Sequence, residues 1–425
     1  MRQGLRELVS KLIQYLGLTV SLRCAMVEFL PFKGLIPQLS GDESVTDRVS
    51  PPYDVIGEVE LKRLQGAPHN ITRITLGGRD GNYDGASALL RSWISEGKLK
   101  EDPQDCFYLL RQTFAHDDKK MVRTGIMGAL KLEPYETGNV SPHEETFPKV
   151  KEDRLNLLRA TTAHLESIFC LYDELDQKVM GEVLGKAEML FSVKDQDGTE
   201  HAFGRISDHA SIKELRVALA HKKLLIADGH HRYETALRYS QEHGSDAKKG
   251  YVLATLVAGN DPGLAVMPTH RIFKGIQISM DELLFHASKF FAIWEVKSLE
   301  EVVRLISQNK RTSLGVLLPG GQMFVFELAW RPTDDPLWSV DAYVCEELLL
   351  KKILQKKGEV MVDYDHDAAS VAKKVGAEGV ALAVILSPAK LDLIWTVANE
   401  GEKMPRKSTY FYPKVWSGFV ALDMS

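Results

Sequence analysis

Lys223–Leu224–Leu225–Ile226–Ala227–Asp228–Gly229–His230–His231–Arg232–Tyr233–Glu234–Thr235–Ala236–Leu237–Arg238–Tyr239 is the stretch on which the reading of the fold turns. Its apolar run is too short for a helix and is bounded by Lys223 and Asp228, which reads as a strand buried on both faces. Gly229 lets the backbone turn sharply, and the residues after it carry an amphipathic helical pattern. A buried strand running straight into a helix belongs to a layered architecture of the α/β (α+β) class, built on a mixed sheet.

Outward from that stretch the same alternation continues. Ala86–Gly97 predicts a helix ended by glycine, and Cys106–Phe114 and Thr124–Leu132 predict strands. A polar, turn-rich segment at 136–150 runs into a helix over Lys151–Leu165, followed by an apolar strand at Ser167–Tyr172. A hairpin is expected around Asp195–Asp197–Gly198 and a helix near Ile212–Ala220. The segment 251–273 adds a strand, a turn at Asn260–Gly263 and the run Met267–Pro268–Thr269–His270–Arg271. This divides the chain into an extension at 1–25, an α/β region at 26–135, a central core at 136–280 and a further α/β region at 281–425. In the extension Leu5, Leu8, Leu12 and Leu16 form one apolar stripe, and Met26 is the expected true start.

Composition narrows the function. The 425 residues carry 53 Lys+Arg against 58 Asp+Glu, a formal net charge of −5, with 44% hydrophobic and 26% charged residues. These are values of a soluble globular protein, expected in the cytoplasm, and they give no basic footprint for a nucleic-acid partner. No stretch approaches the roughly 18 uninterrupted apolar residues of a membrane span, so no membrane partner is expected. Cys24, Cys106, Cys170 and Cys345 form no CxxC pair and read as reduced, buried thiols. A GxxxxGK[ST] loop is absent, and Gly77, Gly78 and Gly81 do not make a GxGxxG unit. Asp363, Asp365 and Asp367 begin like a calcium loop, but Ala368 and Lys374 stand where that loop needs glycine and glutamate.

The chemistry is expected at Asp228–Arg232. Helix-start amides after a glycine turn, together with the helix dipole, form an anion site, and Arg232 adds a planar fork suited to phosphate. Three potential cations at a helix N-terminus, His230, His231 and Arg232, oppose the dipole unless an anion joins them. Asp228, at the strand's carboxyl end, is placed to hold a magnesium ion between phosphates. A second cluster is Ser141–Pro142–His143–Glu144–Glu145–Thr146, followed by Lys149, Lys151, Asp153 and Arg154. There a carboxylate flanked by a histidine can act as general base, and the following cations can stabilise phosphoryl charge. Smaller signals are Tyr53–Asp54 after a double proline, His270–Arg271 after Pro268, and the tail Lys407–Ser408–Thr409–Tyr410–Phe411–Tyr412–Pro413–Lys414.

These motifs, in order from about residue 28, resemble the domain-of-unknown-function 1015 family. Pro142–Glu145, an arginine-bearing helix, a strand and the Asp228–Arg232 turn are also similar to the ParB/sulfiredoxin-like proteins, among them free-serine kinases. That resemblance implies a ParB/sulfiredoxin-like central core and a kinase of free L-serine or a like hydroxyl compound. It makes Glu144 or Glu145 the base, with His143 beside them. It makes Gly229, His230, His231 and Arg232 the phosphate clamp, aided by Arg154, Lys151, His270 and Arg271. Tyr53, Asp54, Thr146, Lys407 and Ser408 fall to the small-molecule substrate, and Asp228 to magnesium. The donor stays open between ATP, ADP and pyrophosphate, and so does the oligomeric state. The rival reading is a non-catalytic sensor of a nucleotide or phosphorylated metabolite.

Overall fold

The structure, a computed structural model, describes residues 26–425 apart from 40, 42, 78–80, 147, 175–176 and 245. The predicted extension at 1–25, with Cys24, therefore lies outside the described residues.

The architecture is a layered α/β fold on two sheets. The first sheet collects β1 (Phe29–Leu30), β2 (Phe107–His116), β3 (Lys119–Lys131), β4 (Val140–Pro142), β5 (Ile168–Tyr172), β6 (Glu188–Lys194), β7 (Glu200–Ile206), β8 (Leu224–Asp228) and β9 (Tyr251–Ala258). Its order is β4-β8-β5-β9-β3-β2-β7-β6, with β1 beside β3. It is mixed: β8 runs parallel to β4 and antiparallel to β5, while β9 runs parallel to β5. Segments 26–135 and 136–280 thus share one sheet.

The apolar run of β8 is continuous because both of its faces are covered. Leu225 and Ala227 enter one core with Phe169, Leu171 and Phe411, whereas Leu224 and Ile226 enter another with Ile168, Cys170, Tyr233 and Ala236. That is the two-residue strand period feeding two cores. Helices α1 (Tyr83–Ser95), α2 (Pro148–Thr161), α3 (His209–Leu219) and α4 (His230–His243) accompany this sheet. Asp208 caps α3 by accepting from the Ser211 amide at 2.9 Å, and Leu215 and Leu219 bury its inner face. Helix α2 lies along α4, joined by Arg159–Glu242 at 2.6 Å and Arg238–Glu152 at 2.9 Å. Both pairs are exposed, so they orient the helices more than they stabilise them.

The second sheet is antiparallel throughout and is built from β10 (His270–Lys274), β11 (Phe291–Val296), β12 (Ser313–Leu317), β13 (Met323–Leu328), β14 (Met361–Asp365) and β15 (Val380–Ile385). Its order is β11-β13-β12-β15-β10-β14. Helices α5 (Leu299–Gln308) and α6 (Ala368–Val375) cover one face through Val302, Ile306, Val371 and Val375. The other face, with Val316, Leu382 and Val384, shares a core with Leu225 and Ala227 of the first sheet. The calcium-loop-like aspartates have structural tasks here. Asp367 caps α6 through the Ala369 and Ser370 amides, and Asp365 pairs with Lys374 at 2.5 Å.

The tail then packs back toward the first sheet through short two-stranded ladders of its own. Tyr410–Tyr412 pairs with Ala265–Met267, Leu422–Asp423 pairs with Ala163–His164, and single bridges join Ser50 to Ser417 and Glu144 to Met404. Cys106, Cys170 and Cys345 are buried free thiols. Among the described residues no helix is long and apolar enough to cross a membrane.

Candidate functional site

Strand β8 delivers Asp228 to the mouth of a cavity of about 1020 Å³ between the two sheets. Gly229 follows at φ 90°, ψ 26°, a left-handed conformation natural to glycine. A Cβ there would stand 3.1 Å from the Arg232 guanidinium and from Ile168, so any side chain would also push on those neighbours. Helix α4 starts at once, and its first internal bond runs from the Tyr233 amide to the Gly229 carbonyl. The amides of His230, His231 and Arg232 precede it, leaving helix-start donors at the cavity.

The charge conflict expected from three cations at this helix start is settled within the fold. His230 is buried and its Nε2 accepts from the His143 amide at 3.3 Å. Burial first, and the neighbouring His143 second, lower its pKa to about 3, so it is neutral at pH 7. Burial likewise lowers His231. Arg232 donates to Asp228 Oδ2 at 2.9 Å and to the Ser167 carbonyl. Asp228 Oδ1 accepts from the Lys414 ammonium at 3.0 Å. Burial alone would raise the Asp228 carboxyl, but Lys414 and Arg232 outweigh it and hold it well below the usual carboxylate range.

Beside β8, the end of its parallel neighbour β4 presents His143 and Glu144. The Ile226 carbonyl can only accept, so His143 Nδ1 carries a proton and donates it at 2.6 Å, and Nε2 faces Thr409 Oγ1 at 2.8 Å. Glu144 is 14% exposed and receives a whole loop. Its Oε2 accepts from the Lys407 amide at 3.2 Å, and its Oε1 accepts from the Ser408 amide, the Thr409 amide and the Thr409 hydroxyl, each at 3.0 Å. Burial opposes ionisation, but the His143 ring and these donors outweigh it, and the Glu144 pKa falls to about 2. Lys407 turns at φ 58°, strained for a residue with a side chain, and the Glu144 bonds hold that turn.

Of the residues singled out from sequence, Tyr53, Asp54, Glu144, Glu145, Asp228, Gly229, His230, His231, Arg232 and Lys407 line this cavity. Asp54 and Glu145 are exposed at it, with Arg406 Nε 3.9 Å from Glu145. His143 is fully buried behind Glu144. Thr409, Tyr410 and Lys414 of the tail line it too, whereas Arg154, Lys151, Thr146, His270, Arg271 and Ser408 are not in the lining. Arg154 is buried against Asp153, the Thr75 carbonyl and the Tyr53 ring. Lys151 and Thr146 both hold Glu234. His270 accepts from the Leu386 amide at 3.1 Å, and Arg271 donates to the carbonyls of Thr269 and Arg406. Ser408 turns its hydroxyl to the Pro405 carbonyl at 2.5 Å. The Lys149 side chain lies outside the described residues.

A magnesium ion on Asp228 meets a poor fit, because both carboxylate oxygens are already bonded to cations. Among the described residues no group of three or more His, Cys, Asp or Glu side chains is arranged to hold a metal ion.

The family model described as "Protein of unknown function (DUF1015)" matches residues 29–343. The chain belongs to the DUF1015 family. No curated protein matches it. Among solved structures it is similar to a free serine kinase in complex with AMP, at 13% identity and a TM-score of 0.37, over 64% of this chain and 84% of that one. A conserved hypothetical protein from Pyrococcus furiosus gives 13% identity and 0.37, over 68% and 93%. C-terminally truncated SbnI from Staphylococcus aureus gives 11% and 0.37, over 70% and 87%.

The cavity of this DUF1015 protein also holds residues whose role no local motif marked, Lys414 above all. Lys414 stood in the quoted tail motif, yet it reaches Asp228 from 186 positions away. Its only local signal was a lysine after an aromatic–proline pair. Tyr410, His366 and Tyr364 also line the cavity, and the first two stack with ring centroids 3.6 Å apart.

Proposed function

We propose that this protein is a phosphotransferase that moves a phosphoryl group from a nucleotide or pyrophosphate to the hydroxyl of a small molecule, with free L-serine as the leading acceptor. The observation that carries the reading is the juxtaposition in one cavity of a helix-start anion site, Asp228–Arg232, with the carboxylates Glu144, Glu145 and Asp54 and the cations Lys407 and Lys414. The resemblance of the Asp228–Arg232 turn to that of free-serine kinases supports an amino-acid hydroxyl as acceptor.

In this reading the terminal phosphate of the donor lies against the amides of His230–Arg232, with Lys407 and Lys414 beside it. The acceptor oxygen forms a bond to phosphorus as the bond to the bridging oxygen breaks. The leaving ADP, AMP or phosphate, according to the donor, keeps that electron pair, and the hydroxyl proton passes to a cavity carboxylate. Catalysis of this kind is mainly positioning and charge stabilisation, with a general base worth ~10²–10⁴-fold. Glu145, Asp54 and Asp363 are the carboxylates exposed at the cavity, and Glu144 and Asp228 are largely covered at its wall.

Phosphorus NMR of the protein with ATP, ADP or pyrophosphate and a panel of hydroxyl metabolites tests this. A new phosphate-ester resonance with one acceptor, weakened at least 100-fold in Glu145→Gln or Glu144→Gln, is expected. Donor binding without transfer to any acceptor overturns the enzyme reading. It would favour a sensor of phosphorylated metabolites, a reading supported by the full engagement of Glu144 with the Lys407–Thr409 amides.

A further inference from the structure

Lys414 is held unusually firmly for a lysine. Its side chain is 12% exposed, its ammonium lies 3.0 Å from Asp228 Oδ1, and the same ammonium sits 4.4 Å from the Tyr410 ring centroid. Burial works against its charge, but Asp228 and Asp54 hold its pKa above the usual lysine value. The backbone around it is fixed as well. Arg123 donates to the carbonyls of Tyr412 and Pro413, and Gln112 Nε2 donates to the carbonyl of Lys414 at 2.8 Å.

Arg123 is itself 1% exposed and forms no ion pair among the described residues. Its donors go to the Gln112 side chain and to those two carbonyls. A buried guanidinium satisfied only by neutral acceptors is a costly device. It is spent on fixing one turn, the turn that aims Lys414.

We propose that Lys414 is the resident cation of the phosphate site. It stands at Asp228 where a divalent ion would otherwise bind, and it contacts the donor phosphate directly. Asp228 then serves to hold Lys414 and Arg232 in place. Magnesium needs near-octahedral oxygen ligands at about 2.0–2.1 Å. Asp228 offers it a carboxylate whose two oxygens already hold cations at 3.0 and 2.9 Å. Those fixed charges would repel a third. A metal carried in on the donor's own phosphates is a separate matter. The inference rests on the phosphotransferase reading for the identity of the anion.

Two measurements test it with pyrophosphate and Mn²⁺ as probes. Calorimetry with pyrophosphate in chelator-treated buffer should show binding to the wild type. Lys414→Met should weaken it ~10–100-fold, the range for one charge-assisted contact, with partial recovery in Lys414→Arg. Paramagnetic resonance of Mn²⁺ with the donor-free wild type should show no site that Asp228→Asn removes. The inference is overturned by equal pyrophosphate affinity in Lys414→Met, by binding that appears only when a divalent ion is added, or by an Mn²⁺ site lost in Asp228→Asn. If the wild type binds neither pyrophosphate nor ATP with or without a divalent ion, the phosphotransferase reading itself falls. Circular dichroism of each variant separates loss of fold from loss of contact.

Discussion

Glu144→Gln removes one negative charge and leaves the side chain the same size. In the native protein the carboxylate receives the amides of Lys407, Ser408 and Thr409 and the Thr409 hydroxyl. Glutamine keeps one acceptor oxygen and turns an NH₂ group toward at least one of those donors. The magnitude follows from the carboxyl's pKa, which is about 2 in the fold against an ordinary 4.5. At about 1.4 kcal/mol per pH unit, that difference is worth roughly 3 kcal/mol. Because the folded value is the depressed one, the stabilisation is present above 4.5 and is lost as pH falls toward 2. At pH 7 the variant should therefore lose about 3 kcal/mol of local stability, and the gap to wild type should narrow at pH 3. Hydrogen exchange at the Lys407, Ser408 and Thr409 amides is the assay, since a chain of this size does not unfold in one step. Their protection should fall ~100-fold at pH 7, the equivalent of that free energy. Unchanged protection, or the same deficit at pH 7 and pH 3, would refute the view that Glu144 anchors the loop as a carboxylate.

Arg123→Met leaves the carbonyls of Tyr412 and Pro413 and the Gln112 oxygen without their buried donor. A loss of about 2–4 kcal/mol is expected in thermal or urea unfolding, and a variant as stable as wild type would show that relief of the buried charge cancels the lost bonds. Asp341 behaves in the opposite sense to Glu144, because burial raises its carboxyl to about 7 despite the Ser387 amide donating to it. Because the unfolded carboxyl ionises near 3.8, the cost accrues as pH rises from about 4 to 7 and is complete above 7, so Asp341→Asn should raise the melting temperature most at pH 8, about a third as much at pH 5 and hardly at all at pH 3.5; equal effects at all three pH values would refute this assignment.

What could be read from the sequence was whatever is encoded within a few residues. The strand, turn and helix at 224–243 stand as expected, since a buried strand, a left-handed glycine and a helix start each leave a local mark. The helix predicted at Ala86–Gly97 is found at Tyr83–Ser95, and the strands predicted at Cys106–Phe114 and Thr124–Leu132 are found at Phe107–His116 and Lys119–Lys131. The shifts fall at ends, where capping and the pairing partner decide: Asn82 caps the helix through the Gly85 amide. The residues of the cavity wall were less legible. Lys151 pairs with Glu234, whose position only the packing of α2 against α4 fixes, and Arg154 pairs with its neighbour Asp153 while the fold buries it against the Thr75 carbonyl. Arg271 looked like its neighbour in motif, yet it faces backbone carbonyls. Lys414 carried the weakest local signal and lies at the centre of the charge cluster.

The packing of residues 404–424 against the first sheet has a consequence for the order of events on the ribosome. The bonds that aim Lys414 join positions about 300 apart: Arg123 to Pro413 spans 290 and Gln112 to Lys414 spans 302. The first sheet can pair as far as residue 258 while the rest of the chain is still being synthesised, so its Arg123 waits, desolvated but without two of its acceptors. Contacts of such long separation form late and slowly. The cavity wall around Lys414 therefore assembles late, and a chain that stalls after β15 would carry a nearly complete scaffold with the Lys414 side of the cavity missing.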